Sequence, residues 1–364
     1  MIVTGVAQRD AWMDGSAPPV ETVRDGLWSI PVPIPDNPLR YTLTYVFEAG
    51  AGQLVVVDPG WETAEGWDAL VDGLASVGAS PAGVTGVVVT HAHADHLGLA
   101  GRLRQESGAW IAMHPAEATT LPSRVWDQET GEANDAAWLA TCGVPRAEIA
   151  ALLLNPRRMR QFLTLASPDI LLEDGDLVPV PGRRVRAVWT PGHTPGHLCF
   201  HDEDNDLLLT GDHVLPRISP NIAVEHYDVD PPLASYLASL ERVAQFDSAE
   251  ALPAHEYRFR GLKARSRVLI THHERRCEEV AAILNSNGES TVWDVARQLR
   301  WSRGWTAVTG LMRRAAVAEA RAHLQYMADR GTIAQLGRDP LTYAGDLFIS
   351  TSNSSSAKPS DPAS

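Results

Sequence analysis

The sequence of 364 residues is poor in the features that mark disulfide-bonded, membrane-spanning and exported chains. Its three cysteines, Cys142, Cys199 and Cys277, are too few and too widely spaced for a disulfide framework or a thiolate zinc site. No apolar run approaches the roughly 18 residues that a membrane-spanning helix needs. The N-terminal segment lacks a basic stretch followed by an apolar one. We therefore expect a soluble, cytoplasmic protein with no membrane partner.

Positive charge is also scarce, because 31 lysines and arginines face 45 aspartates and glutamates and leave a formal net charge of −14. An acidic chain repels the phosphate backbone, so nucleic acid is not an expected partner. Residues 256–276 depart from this average, since they carry seven cations against two acids. Hydrophobic residues make up 44% of the chain, which is ordinary for a globular protein. The expected partner is a small-molecule substrate, and a homo-oligomer is compatible with the sequence.

Hydrophobic periodicity predicts strands that alternate with helices over most of the chain. The predicted strands lie at 42–47, 54–57, 87–90, 110–113, 185–189 and 207–210, and an amphipathic helix spans 64–76. Residues 115–168 look helical but irregular, and they lie between two strands, where an excursion over an active site is expected.

After residue 278 the pattern changes to a capped short helix over 290–296, a long helix over 306–330 and a small hairpin over 332–343. Helices followed by a two-stranded hairpin predict a winged-helix-like unit over residues 285–345. Residues 350–364 are rich in serine, proline and alanine, which predicts a disordered tail.

The chemistry centres on the segment 90–98, THAHADHLG, which follows the strand predicted at 87–90. His91 and His93 are two residues apart on an extended segment and therefore point the same way, so both can reach one cation. Asp95 and His96 come from the following turn and can reach a second cation. Zinc takes nitrogen and carboxylate ligands at about 2.0–2.2 Å, and a catalytic site keeps one position open for water.

Three later fragments each place one ligand-type residue after an apolar segment and next to a small residue. These fragments are TPGHT around His193, TGDH around Asp212, and PAH ending at His255. We expect the strand ends to converge on one edge of a layered sheet and to bring these side chains to the same place. Six of the remaining histidines are assigned no metal role: His197, His201, His226, His272, His273 and His323.

The order of these motifs resembles the metallo-β-lactamase superfamily over residues 25–275, with its HxHxDH signature present in full. The resemblance implies an α/β fold, an αββα metallo-β-lactamase sandwich, with the small C-terminal winged-helix-like domain appended. The implied organisation is an N-terminal extension over 1–24, a catalytic domain over 25–278 with a helical insertion over 115–168, and then the C-terminal unit.

The resemblance also implies a role for each ligand-type residue. The first metal would be held by His91, His93 and His193, the second by Asp95, His96 and His255, with Asp212 bridging both. Asp58, in the VDPG turn, matches a position that steadies the ligand loop. Two divalent ions are implied, with zinc expected and iron or manganese compatible with the same donors. They would lower the pKa of a bridging water from about 15.7 toward about 7, so that metal-bound hydroxide attacks the substrate while Asp95 accepts or orients a proton as the catalytic residue.

The substrate class expected first is a small-molecule thioester or an ester, including lactones, and an anionic acyl thioester would suit the cationic stretch. Arg258 and Arg260 follow His255 closely and are predicted to hold a carboxylate or phosphate. His213 follows the bridging aspartate and is predicted to face the cleft. The block 115–168 would then form an acyl pocket or a core of its own, with these apolar candidates: Trp126, Trp138, Leu152, Leu153 and Phe162.

Two other enzymatic functions compete with this one on the same metal site. A metal-dependent ribonuclease would use the winged unit and the cationic stretch to bind phosphates, although the net charge and the lack of interleaved aromatics argue against it. A mononuclear iron centre would instead oxidise a persulfide. A non-enzymatic function, DNA reading by residues 285–345, rests only on the arginines of that unit.

Overall fold

The computed structural model describes residues 1–50, 52–124, 128–153, 167–224 and 231–345. Its contacts divide the chain into two compact units. The first comprises Met1–Asp127, Asn155–Pro220 and Ala234–Ile270, and the second comprises Gln128–Leu154, Asn221–Leu233 and Thr271–Ser364. Trp126, Phe162, His226 and the predicted tail lie outside the described residues.

The described chain contains both strands and helices throughout. The strands are β1 (Ile2–Val3), β2 (Glu21–Arg24), β3 (Leu27–Pro33), β4 (Tyr41–Glu48), β5 (Leu54–Val57), β6 (Val84–Val88), β7 (Trp110–Met113), β8 (Ile170–Leu171), β9 (Val185–Trp189), β10 (Leu198–Asp202), β11 (Leu207–Gly211), β12 (Glu250–Pro253), β13 (Phe259–Arg260), β14 (Ser290–Thr291), β15 (Ile333–Arg338) and β16 (Leu341–Gly345). The helices are α1 (Val6–Asp14), α2 (Ala64–Ser76), α3 (Ala94–Leu97), α4 (Ala100–Ser107), α5 (Pro115–Arg124), α6 (Gln128–Thr141), α7 (Arg146–Leu152), α8 (Pro232–Val243), α9 (Leu262–Asn287), α10 (Val292–Gln298) and α11 (Gly310–Asp329).

Two sheets form the first unit, as the αββα prediction requires. The order is β2-β3-β4-β5-β6-β7-β8 in one sheet and β1-β13-β12-β11-β10-β9 in the other. One apolar cluster joins residues of both sheets, such as Phe47, Leu198 and Leu209, so the sheets pack face to face. A second cluster joins the seven-stranded sheet to helices α2 and α4 through Leu70 and Leu103. The predicted hairpin over 42–57 is confirmed by the antiparallel pair β4–β5.

Residues 1–24, predicted as an extension, contribute β1, α1 and β2 to this unit. Strand β1 pairs with β13, and β2 pairs with β3. The buried Gln8 side chain donates to Ser29 Oγ at 3.1 Å and accepts from the Arg258 amide at 3.0 Å. The N-terminal segment is therefore held by backbone pairing and by side-chain hydrogen bonds.

The second unit contains the helices and the hairpin predicted near the C-terminal end. Strands β14, β16 and β15 form a three-stranded sheet in that order. The predicted cap at the start of the short helix is confirmed, because Thr291 Oγ1 accepts from the Asp294 amide at 3.1 Å. The predicted long helix begins at Gly310 rather than 306, since a 3₁₀ turn over Trp305–Ala307 precedes it.

Part of the predicted insertion shares the apolar core of this second unit. Trp138 and Leu152 are buried in one cluster with Val295 and Leu324 of the C-terminal helices. Two ion pairs join the same elements, Arg314 Nη1 to Asp135 at 2.6 Å and Arg313 to Glu148 at 3.0 Å. Trp138 and Leu152 are therefore core residues of this unit, and this explains their burial without a bound acyl chain. The domain boundaries drawn from the sequence stay a prediction. No helix among the described residues is long and apolar enough to cross a membrane.

A buried histidine pair in the second unit is expected to make its stability depend on pH. His323 Nδ1 donates to the Glu319 carbonyl at 2.8 Å, and its Nε2 lies 3.1 Å from Nδ1 of His273. Burial lowers the pKa of His323 to about 4 and that of His273 to about 2. An unfolded histidine titrates near 6.5, so the unfolded chain binds protons that the folded chain refuses, and each histidine costs about 2 kcal/mol of stability at pH 5.

The Glu319 carboxyl group opposes this loss, because burial raises its pKa to about 7. Between pH 7 and 4.5 the folded chain takes up a proton there that the unfolded chain does not, which offsets about 2 kcal/mol. We expect the Glu319→Gln variant to lose about 2 kcal/mol more stability than the wild type between pH 7.5 and pH 5. Urea unfolding of both proteins at the two pH values measures this difference. Titrating groups of the first unit contribute equally to both proteins, so their effect is removed when the two are compared. An equal loss in both proteins would contradict the assignment.

Candidate metal centre

Five strands end at one edge of the first unit, and each is followed by a predicted site residue. Strands β5 and β6 are parallel neighbours, as are β11 and β12, and β9 runs in the same direction as β11 because β10 is antiparallel to both. The residues that follow these carboxyl ends are Asp58 after β5, His91 after β6, His193 after β9, Asp212 after β11 and His255 after β12. The predicted convergence of the strand ends on one edge is thus present in the fold.

Three imidazoles meet at one side of this edge. His91 Nε2 lies 2.8 Å from His93 Nδ1, and His193 Nε2 lies 3.2 Å from each of these two nitrogens. We call His91, His93 and His193 the three-histidine group. Three ring nitrogens at such separations suit one cation, because each can direct a lone pair to a common centre.

A second set of ligand-type atoms lies beside the first. His96 Nε2 and His255 Nε2 lie 3.7 and 3.5 Å from Asp95 Oδ2. Asp212 reaches both sets, since its Oδ1 is 3.6 Å from His96 Nε2 and 3.1 Å from His255 Nε2, and its Oδ2 is 3.6 Å from His193 Nε2. All seven predicted ligands are therefore brought together, with Asp212 between the two sets.

Buried atoms without partners indicate what this arrangement fits. Among the residues that the structure describes, none is a hydrogen-bond partner of the buried atoms His96 Nε2, His255 Nε2 and Asp212 Oδ1, although the last two lie 3.1 Å apart as an ion pair. A buried polar atom left unsatisfied costs about 1–3 kcal/mol, and such atoms normally find a partner. Nitrogen and carboxylate donors that converge in this way fit divalent metal ions, which the fold family implies.

Neighbouring groups hold the ligands from behind. Asp58 Oδ2 lies 2.8 Å from His96 Nδ1, and the same carboxylate accepts from the backbone amide and the hydroxyl of Thr90. His255 Nδ1 donates to the Tyr41 carbonyl at 2.9 Å. These bonds leave Nε2 of both histidines directed toward the centre. The structure thus places Asp58 against a ligand-type histidine, and the steadying role that the resemblance implies for it stays a prediction.

The two sides of the centre differ in electrostatics. Burial and the neighbouring imidazoles hold the pKa of His91 well below its ordinary value, so this ring is a neutral donor. Burial also acts against the charged form of His96, but Asp95 and Asp212 outweigh it and raise the pKa of His96 well above its ordinary value. Burial would raise the pKa of Asp212, yet His255 and His96 hold it well below the usual range. The Asp212 carboxylate is thus present as an anion between the two sets.

The structure does not support the substrate contacts predicted for Arg258 and Arg260. Strand β13 runs antiparallel to β12, with Arg260 opposite Glu250, so the chain turns away from the ligand edge after His255. Arg258 is buried, and its guanidinium donates to Glu250 at 2.8 Å and to Glu21 at 2.9 Å. Arg260 donates to the Ser248 carbonyl. The sequence shows that Arg258 and Arg260 are cations, but it does not show which groups of the folded chain bind their guanidinium groups.

His213 does not face a cleft either. Its side chain is fully buried, and its ring packs edge-on against Tyr236 at 5.1 Å between centroids. Burial lowers the pKa of His213 to about 3. His197, which was assigned no metal role, supports the centre from behind, because its Nε2 accepts from the Asp212 amide at 3.2 Å.

Sequence reasoning missed one acidic residue near the centre, Glu117. It lies in the first turn of α5 and is fully buried, and its carboxylate accepts from the backbone amides of Ala92 and Gly196, both at 2.8 Å. No sequence signal marks this residue, because its partners lie in two distant loops.

Comparison with known proteins agrees with the fold. A crystal structure of a metallo-beta-lactamase family protein from Thermus thermophilus has a TM-score of 0.76 at 30% identity and covers 89% of this chain and 100% of that one. A beta-lactamase domain protein from Burkholderia ambifaria has a TM-score of 0.68 at 26% identity, over 89% of this chain and 94% of that one.

Two curated relatives match over shorter segments. The acyl-coenzyme A thioesterase MBLAC2 from Bos taurus is 36% identical over 126 residues, which is 34% of this chain and 39% of the bovine protein. The lactamase-like protein adaB from Aspergillus niger is 37% identical over 121 residues, which is 32% of this chain and 36% of that protein. Each match thus spans less than half of the relative's length.

The family model described as the metallo-beta-lactamase superfamily matches residues 37–255, more than half of the chain. This range contains the seven converging side chains and the strands that position them. The chain therefore belongs to the metallo-beta-lactamase superfamily.

Proposed function

We propose that this chain hydrolyses small-molecule thioesters, with esters and lactones as the nearest related substrates, at a centre of two divalent metal ions. The observation that carries the proposal is the convergence of seven ligand-type side chains, three of which have a buried atom with no hydrogen-bond partner in the described part of the chain. The bound ions, zinc being the expected ones, would supply Lewis acidity and a water ionised near neutral pH. The 36% sequence identity to part of the bovine acyl-coenzyme A thioesterase supports a thioester as the substrate.

The residues of the chain have two proposed roles, which are to bind the ions and to accept a proton. The three-histidine group would hold one ion, and Asp95, His96 and His255 the other, with Asp212 shared. The Asp95 carboxylate is the proposed proton acceptor, and the Thr42 hydroxyl anchors this residue by donating to the Asp95 carbonyl at 2.9 Å. Hydrolysis adds water to the acyl carbon, and the thiol leaves with a proton.

The ribonuclease alternative is weakened by the way in which the second unit uses its arginines. We propose a winged-helix-like fold for residues 285–345, as the sequence predicts. Arg313 and Arg314 of its long helix are engaged by Glu148 and Asp135, so these two cations are not available to phosphates.

Small-molecule substrates, a cytoplasmic location and a possible homo-oligomer remain expectations from the sequence.

Metal removal is expected to abolish thioester hydrolysis reversibly. Dialysis against a chelator should reduce acyl-coenzyme A hydrolysis to background, and two equivalents of Zn²⁺ should restore it, because the ions would supply the Lewis acidity and the ionised water on which the reaction depends. The measurement is release of free thiol by the untreated, stripped and reloaded protein, with elemental analysis of each.

A panel of substrates separates the alternatives in the same experiment. Turnover of RNA alone by the protein with two zinc ions would overturn the thioester proposal in favour of a nuclease. One equivalent of iron, with oxygen-dependent turnover of a persulfide, would point to the oxidative alternative. Hydrolysis of lactones as fast as thioesters would widen the substrate class without changing the reaction.

A further inference from the structure

The Glu117 carboxylate joins two loops that belong to different sheets. Its Oε2 accepts from the Ala92 amide and its Oε1 from the Gly196 amide, both at 2.8 Å. Ala92 follows β6 of the seven-stranded sheet, and Gly196 follows β9 of the six-stranded sheet. A single buried side chain therefore fixes the separation of these loops by two hydrogen bonds to one anion, which are stronger than neutral ones.

These two loops carry all of the three-histidine group. Ala92 lies between His91 and His93, and Gly196 lies three residues after His193. The bond to the Ala92 amide orients the peptide that joins His91 to Ala92. The bond to the Gly196 amide holds the loop that carries His193 against it. The ring nitrogens of the group converge to within 3.2 Å across this junction.

The surroundings of Glu117 keep its carboxylate in place. A Cβ atom on Gly196 would lie 2.7 Å from the Glu117 amide nitrogen and 2.8 Å from its Cγ, so a glycine is required at this contact. The Glu117 amide donates to the His114 carbonyl at 3.0 Å. The His114 ring stacks on Trp189, the last residue of β9, with centroids 5.2 Å apart and planes 5° apart. The start of α5 is thus tied to the strand that carries His193.

We propose that Glu117 is a positioning residue that sets the distance between the two histidine loops and thereby the metal affinity of the three-histidine group. The inference rests on the proposed metal centre. Metal–nitrogen distances tolerate errors of only about 0.2 Å, so a small shift of one loop weakens binding. Groups that orient ligands from behind typically contribute about 10- to 100-fold to metal affinity.

The test is a zinc titration against a chromophoric chelator, made on the full chain. In Glu117→Gln the side chain keeps one acceptor oxygen but presents an NH₂ group to the other amide. His193→Ala and His255→Ala serve as references, since each removes a ligand from one side of the centre. Glu250→Gln is the matched control, because Glu250 is a buried carboxylate of the same unit that pairs with Arg24 and Arg258 and lies at the start of β12, away from His255.

We expect Glu117→Gln to weaken by about 10- to 100-fold the binding step that His193→Ala removes. The step that His255→Ala removes should stay within about twofold of the wild type. Glu250→Gln should lower the unfolding midpoint but leave both steps within about twofold. If Glu117→Gln leaves both steps unchanged, or weakens both equally as general destabilisation would, the proposal is overturned.

Gly196→Ala tests the same contact from the opposite loop. If Glu117→Gln does not fold, Gly196→Ala replaces it, and it should likewise weaken only the zinc-binding step that His193→Ala removes. Failure of the metal proposal itself would look different. In that case the wild-type protein would bind no zinc tightly, whereas failure of the positioning role would leave wild-type binding intact and the variants indistinguishable from it.

Discussion

Replacing Asp212 by alanine is expected to reduce kcat/KM for acyl-coenzyme A hydrolysis by about 1,000-fold, equivalent to about 4 kcal/mol of transition-state stabilisation. Its two oxygens lie 3.1 Å from His255 Nε2 and 3.6 Å from His193 Nε2, on opposite sides of the centre. Among the seven ligand-type residues, only this one places a carboxylate against both sides at once. The change also removes the anion that raises the pKa of His255 against burial.

The control for this variant is Asp206→Asn. Asp206 precedes β11, whereas Asp212 follows it, and its side chain is half exposed, 3.8 Å from His201. This exposed pair contributes little, so activity should stay within about twofold of the wild type. Steady-state kinetics and metal content of both variants make the measurement. An Asp212→Ala protein that keeps more than about a tenth of the activity would show that no shared carboxylate is needed.

The ligand set was predictable because its signal is local. The segment from His91 to His96 carries four ligand types in six residues, and each later ligand follows a short apolar strand. Strand direction then predicts that the ligand residues meet, since strands that point the same way end at one edge of the sheet. The sequence therefore predicted the site from features that require no knowledge of side-chain neighbours, and the family resemblance that these motifs carry implied the αββα sandwich.

Glu117 was not predictable for the opposite reason. Its function depends on two backbone amides, those of Ala92 and Gly196, which lie 25 residues before it and 79 after it. Amides are present at nearly every residue, so they leave no mark in a sequence. Only the packing of α5 against both loops selects these two.

The core of the second unit could not be predicted from the sequence for the same reason. The sequence offered Trp138 and Leu152 as residues of an acyl pocket or of a core, but it could not show which residues cover them. The structure packs them with Val295 and Leu324, from helices more than 140 residues away. The role of a charged residue is ambiguous in the same way, because the sequence shows an arginine but does not identify the acidic residue that pairs with it.

Arg258 is the arginine for which this ambiguity has the largest consequence. We expect Arg258→Ala to lower the free energy of unfolding by about 3 kcal/mol, while KM for an anionic thioester stays unchanged. Removing one partner from a buried ion pair leaves an uncompensated charge, which costs about 3–5 kcal/mol. The lower end applies because Arg24 still contacts Glu250 at 2.8 Å after Arg258 is gone.

Arg260→Ala is the matched control, since Arg260 lies two residues further along the chain and donates to the Ser248 carbonyl from a more exposed position. Its loss should cost less than about 1 kcal/mol. Denaturant unfolding and steady-state kinetics of both variants separate the two roles. A structural Arg258 changes stability alone, because its side chain is held by Glu250 and Glu21, away from the ligand edge. A KM raised about tenfold at unchanged stability would instead return Arg258 to the substrate site, since tenfold corresponds to about 1.4 kcal/mol of lost binding.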